Sequence, residues 1–409
     1  MSRKIWTGII LIGLGVAIAY VFLFRRHGPS LPSLSSVSAG NVVDANNLFA
    51  LDFYSRLKVR ESGNIFFSPF SISSALAMAY EGAKGRTAEE MRSVFYFPGD
   101  NALRRAGYVE AYDRINRSDK AYKLSVANAL WAQKDYRFLK EYFDVIEKYY
   151  QGKAVNLDFI KDPKGSMVTI NKWVEERTNN KIKNLISGIG PETRLILTNA
   201  VYFKGDWLSP FEKSKTKPED FMVRKDNTIK VPMMRQTKTF SYAANDSLQA
   251  LELPYTGDNL SMLLLLPIVQ DLASLESSLS AAKLSELKKT LKPQQVAVIL
   301  PRFKVETKYD RMADYLAAMG MPAAFNSSAD FSGMDATRDL YISQVIHKAF
   351  VEVDEKGTEA AAATAVFLAG SAAHTKIPVF RVDHPFIFLI QEKATGNILF
   401  MGRIVNPAL

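Results

Sequence analysis

The residues best suited to chemistry are few in this 409-residue chain, and their spacing excludes most of it. Four histidines (His27, His347, His374 and His384) are scattered with no HxxxH or HExxH spacing, so no His-based metal centre is expected. The absence of cysteine removes disulfides, thiol catalysis and Cys-based zinc sites. No G-x-S-x-G, phosphate loop or zinc motif occurs. Ser371 and His374 stand close together in GSAAH, with no rigid acid to orient them, and that pairing reads as coincidence. The chain is not expected to be an enzyme, and no cofactor is implied.

The stretch EKGTEAAAAT, residues 355 to 364, is more informative. Alanine is depleted in strands and supplies little area to bury, so this run makes a poor permanent core strand. It suits a segment that must slide between two other strands, where large side chains would clash. Gly357 supplies backbone freedom where such a segment folds over. Strand alternation puts Thr358, Ala360, Ala362 and Thr364 on one face, and Glu359, Ala361 and Ala363 on the other. The first face is all small and suits a core. Glu359 then points outward, where its charge costs little.

The elements around this run are a strand before it, Val345–Glu355, and an apolar-alternating tail after it. Helices are expected over Asn46–Lys58, capped by Asp44 or Asn46, and over Ser71–Tyr80, which reads as buried. A capping-box pattern, Thr87-Ala-Glu-Glu90, opens another. Lys140–Tyr150 and Ile170–Thr178 also read as helices. Strands are expected at Leu124–Ala132, Arg194–Lys204, Ala250–Pro254, Leu260–Pro267, Gln295–Phe303 and Ile387–Gln391. Arg194–Lys204 is apolar enough for a central strand covered on both faces. Asn199 and His347 interrupt otherwise apolar strands, which costs stability unless both are paired. Helices cluster early and strands late, so the class is mixed α+β with large sheets.

At the N-terminus, Ile5–Phe24 is 20 residues without a charge. A helix of that length spans about 30 Å, the hydrocarbon thickness of a bilayer. Residues 1–26 read as a membrane segment, retained as an anchor. The nearest small-x-small cleavage pattern, Val37-Ser38-Ala39, lies far downstream. Residues 27–44 read as a flexible tether and residues 45–409 as the globular body. The expected location is membrane-anchored with the body outside the cytoplasm, or secreted if the segment is cleaved. Net charge is +10. Clusters such as Arg104, Arg105, Arg114 and Arg117, or Lys213, Lys215 and Lys217, suit a polyanion less well than they suit a solvated basic face. No nucleic-acid partner is expected. The sequons at Asn116, Asn245, Asn259 and Asn326 matter only in a compartment that glycosylates.

Nine segments stand together in order: NIFFSPFSISSALAMAYEGAKGRTAEEM (Asn64–Met91), NALWAQ (Asn128–Gln133), NKWVEERTNNKI (Asn171–Ile182), LTNAVYFKGDWLSPF (Leu197–Phe211), PRFKVE (Pro301–Glu306), ADFSGM (Ala329–Met334), the EKGTEAAAAT run, DHPFIFLI (Asp383–Ile390) and ILFMGRIVNP (Ile398–Pro407). In these motifs the chain resembles the serpins over essentially all of residues 45–409. The resemblance implies three β-sheets, roughly nine helices and an exposed reactive-centre loop at about 355–380. It implies a monomer that traps a serine protease as a covalent acyl-enzyme, by inserting the cleaved loop into the main sheet. Glu355, Gly357, Thr358, Glu359 and Ala360 to Thr364 become the hinge. Ser68, Ser71, Asn199 and His347 become a gate beneath the sheet, and Trp207 packs where the loop first enters. Family spacing, seventeen positions counted from Glu355, places the scissile bond at Ser371–Ala372. Small residues there imply an elastase-like or subtilisin-like target. The alternative is a non-inhibitory serpin acting as carrier or chaperone, and the small-residue hinge argues against it.

Overall fold

A computed structural model describes residues 40–116, 122–358 and 377–408. The expected membrane segment at 5–24, hinge positions 359–364, and the Ser371–Ala372 bond lie outside the described residues. Within them no helix is long and apolar enough to cross a membrane.

The chain runs through α1 (Val42–Arg60), β1 (Ile65–Phe67), α2 (Pro69–Gly82), α3 (Gly85–Phe95), α4 (Asn101–Ile115), β2 (Tyr122–Gln133), α5 (Lys140–Tyr150), β3 (Lys153–Leu157), α6 (Pro163–Arg177) and β4 (Leu195–Asp206). It continues through β5 (Lys217–Arg224), β6 (Asn227–Ala244), β7 (Leu248–Pro254), β8 (Leu260–Pro267), α7 (Leu272–Ser278), α8 (Ala281–Thr290), β9 (Lys292–Pro301) and β10 (Phe303–Tyr309). Then come α9 (Met312–Met319), α10 (Ser332–Asp335), β11 (Ile342–Val353), β12 (Gly357–Thr358), β13 (Val379–Arg381), β14 (Phe386–Glu392) and β15 (Ile398–Ile404).

Two local expectations are corrected. Helix α1 starts earlier than expected, on an Asn41 cap that accepts the Asp44 N–H. The side chains of Asp44 and Asn46 lie inside the helix and do not cap it. Helix α3 forms, but the capping box does not. Its N-cap is Lys84, with no side-chain cap bond, and the buried Thr87 hydroxyl instead accepts from the Asp330 N–H at 2.9 Å. Tertiary bonding thus outcompetes the local motif.

Six strands make one sheet in the order β10-β11-β4-β2-β3, with β12 pairing the end of β4. Strand β4 is central and almost wholly buried. Strands β4 and β11 run parallel over eight residue pairs, from Ile342↔Leu195 to Phe350↔Tyr202. The other nine strands form a second hydrogen-bonded network. Its 18-residue strand β6 pairs with β9 along one edge, and with β5 and then β7 along the other. That switch of neighbours divides the network in two, giving the third sheet of the expected fold. Helix α2, buried except at Tyr80 and Glu81, packs between β15 of one sheet and β2 and β4 of the other. Helix α6 covers the opposite face of the six-stranded sheet through a second core that includes Trp131, Ile170 and Val174.

Candidate functional site

Four of the sequence-predicted residues meet under the middle of the six-stranded sheet. In one row across the strands, Tyr309 pairs with His347, His347 with Asn199, and Asn199 with Asn128. Residues directly opposite on paired strands share a face, and this row turns toward the N-terminus of α2. There Ser68 is the N-cap and its hydroxyl accepts the Ser71 N–H at 3.2 Å. Capping accounts for one helix-terminal donor. The Ser68 hydroxyl donates in turn to the Leu399 carbonyl of β15 at 2.7 Å, tying α2 to the other sheet.

The protons of this cluster can be assigned. The Ser68 N–H donates to His347 Nε2 at 3.1 Å, so that nitrogen is an acceptor. His347 Nδ1 then carries the proton and donates to Asn199 Oδ1. The Asn199 amide donates to the Ser71 hydroxyl and to Asn128 Oδ1. Ser71 Oγ also donates to Asn128 Oδ1, at 3.1 Å. All five side chains are buried. Burial pushes the His347 pKa down from 6.5 to about 3, and a hydrogen bond with the Asn199 backbone offsets only part of that. The ring is neutral at neutral pH, as the acceptor role of Nε2 requires. Only one side-chain bond of the cluster, His347 to Asn199, crosses the seam between β11 and β4.

The hinge begins where β11 ends. Asp354 Oδ1 accepts the N–H groups of Lys356 and Gly357 at 2.9 and 3.2 Å, and the Asp354 N–H donates to the Gly357 carbonyl at 2.9 Å. This turn reverses the chain, so that Gly357 and Thr358 pair antiparallel with Asp206 and Gly205 at the end of β4. Gly357 has φ +154°. A Cβ there would collide with the Gly205 carbonyl and lie 2.6 Å from Asp206 Cα, so this position needs glycine for both conformation and space. Trp207 closes over the turn. Its indole N–H donates to the Asp354 carbonyl at 3.0 Å, its backbone N–H donates to Lys356 O at 2.8 Å, and its ring stacks on Tyr255. It therefore touches the hinge itself, as well as filling core.

Glu355 is fully buried. Burial alone would raise its pKa, but hydrogen bonds from Arg302 and Thr216 outweigh that and hold the carboxyl below its usual value. Sequence reasoning missed Arg302 and Thr216, which stand in unrelated segments. It also missed Asn128, whose signal was the same as that of Asn199: one amide in an apolar strand.

The anticipated basic clusters do not make one free cationic face. Arg104 is wholly buried and donates to Glu81 at 2.8 Å, Arg105 binds the same carboxylate, and Arg114 pairs with Glu110. Lys215 pairs with Glu212. Arg117 lies outside the described residues.

A parallel seam over a polar gate, with a reversed hinge at its end, is an arrangement that can admit one more strand. A family model described as "Serpin (serine protease inhibitor)" matches residues 44–407. An uncharacterised serpin-like protein of Thermococcus kodakarensis is 46% identical over 369 residues, covering 90% of this chain and 86% of that one. The leukocyte elastase inhibitor of Bos taurus is 42% identical over 375 residues, covering 89% and 98%. Uncleaved ovalbumin superposes with a TM-score of 0.82 at 32% identity, covering 90% and 100%. The chain belongs to the serpin family and has its fold.

Proposed function

We propose that this protein is a suicide-substrate inhibitor of serine proteases, most apt for an elastase-like or subtilisin-like enzyme. The observation that carries this reading is the antiparallel pairing of Gly357 and Thr358 with the end of β4, beside a parallel seam. The protease hydroxyl attacks the Ser371 carbonyl, the bond to Ala372 breaks, and the acyl-enzyme ester stays on Ser371. The freed loop then zips between β4 and β11, a mode of strand addition that serpins use, before water hydrolyses the ester. Thirteen residues on from Thr358, matched by thirteen back from Gly205, bring Ser371 level with residue 192, just beyond the start of β4 at Leu195. That path is about 44 Å at the rise of an antiparallel strand, so the ester is carried the full length of the sheet. Small residues around Ser371 fit a shallow primary pocket, and one relative bears the name of an elastase inhibitor. In this reading residues 5–24 hold the inhibitor at a membrane with its body outside the cytoplasm, or the body is secreted once that segment is removed.

The test is incubation of the full-length protein, in detergent, with elastase-like, subtilisin-like, chymotrypsin-like and trypsin-like proteases. An SDS-stable complex and a released C-terminal peptide beginning at Ala372 support the reading. Cleavage by all four with no complex overturns it, and a peptide with another first residue overturns the bond assignment.

A second reading, a non-inhibitory carrier, has one observation in its favour. A pocket of about 410 Å³ beside α7 and α8 is lined by leucines such as Leu248, Leu275 and Leu284 and, in equal number, by polar residues such as Asn245, Lys283 and Glu286. Melting after loop cleavage separates the two, because an inserted loop raises the melting temperature and an uninserted one leaves it unchanged.

A further inference from the structure

Between Met233 and Ser241, strand β6 has β9 along one edge and, among the described residues, no strand along the other. The segment that follows β4 fills part of that gap. Gln236 Nε2 donates to the Ser209 carbonyl at 3.1 Å, and the Phe211 N–H donates to the Glu355 carbonyl at 2.7 Å, so the segment is held in place. What remains is a cavity of about 310 Å³, lined by Pro210, Glu212, Lys215, residues 235–238 and residues 297–299. Register and alternation put Arg235 and Thr237 on one face with Ile299 and Ala297. The alternate residues Val296, Val298 and Leu300 go to the core. The outward face therefore presents an apolar patch beside a guanidinium and a hydroxyl.

Charge selects the ligand. Among the described residues, three cations (Lys215, Arg235 and Lys238) line the cavity against one carboxylate, Glu212. Lys215 and Glu212 pair at 2.8 Å, both more than half exposed, and cancel each other at little gain. Arg235 binds Glu219, but Glu219 also accepts from Arg381 at 2.9 Å. Arg235 Nε is buried without a hydrogen-bond partner. The guanidinium is thus incompletely satisfied, and the lining keeps an excess of two positive charges. We propose that this cavity binds small organic phosphate monoesters. The phosphate meets Arg235, Lys238 and the Thr237 hydroxyl, and the ester group lies against Ala297 and Ile299. A phosphate monoester carries a charge of about −1.5 to −2 at neutral pH, which matches the excess. Guanidinium and phosphate also match in shape, through parallel N–H···O bonds. The volume is at the small end of ligand sites, roughly 300–1,000 Å³, and admits an ester group of about one ring.

The experiment titrates phenyl phosphate, inorganic phosphate and phenol into the full-length protein in uncharged detergent, by calorimetry at fixed ionic strength, with detergent alone as the blank. Phenyl phosphate is expected to bind at least about tenfold more tightly than either fragment. Arg235→Gln and Lys238→Gln should each weaken it at least about fivefold. Ala297→Glu should abolish it, and Lys213→Gln, outside the cavity, should leave it unchanged. Ala297→Glu removes no cation and no ion pair, so it tests the site even where Arg235→Gln disturbs the fold. Inorganic phosphate binding as tightly as phenyl phosphate overturns the proposal. Binding that survives the three lining substitutions overturns it as well. So does a loss with Lys213→Gln equal to that with Lys238→Gln, which would mean diffuse attraction to a basic surface.

Discussion

Lowering the pH from 7 to 5 should weaken the native fold through His347 by an amount that its burial sets. Its pKa is about 3 in the folded protein, with burial as the cause, whereas the same ring in an unfolded chain titrates near about 6.5. Between these values the unfolded chain binds a proton that the native gate refuses. Stability therefore falls as pH drops through about 6.5 and continues to fall toward about 3. The limiting slope is about 1.4 kcal/mol per pH unit. Because His347 begins to lose ground only near its unfolded pKa, the loss from pH 7 to pH 5 is roughly 2 kcal/mol. For a body of about 370 residues, at ~2.1 cal/mol/K of unfolding entropy per residue, that corresponds to a melting shift of about 2.5 °C.

The assay compares wild type with His347→Gln in thermal melts at pH 7, 6 and 5. Glutamine can donate to Asn199 and accept from Ser68, but it cannot titrate in this range. Carboxylates that titrate in both proteins cancel in the difference. Wild type should lose about 2.5 °C more than the variant between pH 7 and 5. A melting difference that stays constant with pH would refute the argument, because it would mean that the gate accepts the imidazolium without penalty.

Substitutions at four further positions probe the hinge and its path. Thr358→Arg puts a long cation on the face that must enter the core, and SDS gels should show the loop cleaved with complex yield reduced at least about tenfold. Gly357→Val should lower native stability by about 2–4 kcal/mol in denaturant melts, because the Cβ collides with the Gly205 carbonyl at a positive φ; an unchanged midpoint would contradict the observed turn. Arg302→Ala removes the cation from the buried Glu355; as Arg302 is itself 41% exposed, the expected loss is about 2 kcal/mol, and Arg302→Lys should restore part of it. Thr364→Val removes a hydroxyl from the inserting face, and should reduce the gain in melting temperature after loop cleavage while leaving the uncleaved protein unaffected.

The polar pair Asn199 and His347 was legible because it breaks a local rule, whereas Ser68 and Ser71 came only from the family resemblance. Asn199 and His347 sit in apolar strands, and a run of alanines follows a strand where bulk would be expected. Strands β5 and β6 left no such trace. No element was assigned there, because their prolines, including the cross-strand pair Pro218↔Pro232, and their basic residues hide the strand pattern, although proline is tolerated at an edge and β5 is an edge strand. Helix α4 was read only as part of a basic cluster, because its Arg104 turns inward to Glu81 and resembles a surface charge until the partner is known. Arg302 and Thr216 were invisible for the same reason: their meaning lies in Glu355, which is distant in sequence from both. Polar side chains reveal themselves in sequence where they interrupt an apolar pattern. They stay hidden where the partner is contributed by another segment.

Under the proposed insertion, the register at the hinge would connect these features. Strand addition at the seam exchanges one parallel interface for two antiparallel ones, and the antiparallel ladder is the more stable per residue. The exchange must break the single gate bond that crosses the seam, His347 to Asn199, which would leave two buried polar groups unpaired at about 1–3 kcal/mol each. Extending the observed pairing of Thr358 with Gly205 by six residues brings Thr364 directly opposite Asn199. Residues opposite each other in a ladder share a face, so on such insertion the Thr364 hydroxyl would arrive on the gate side. It can then both donate and accept where the His347–Asn199 bond was. In the proposed insertion, alanines at 360 and 362 would let the strand pass, and threonine at 364 would restore the hydrogen bonding that the passage disrupts.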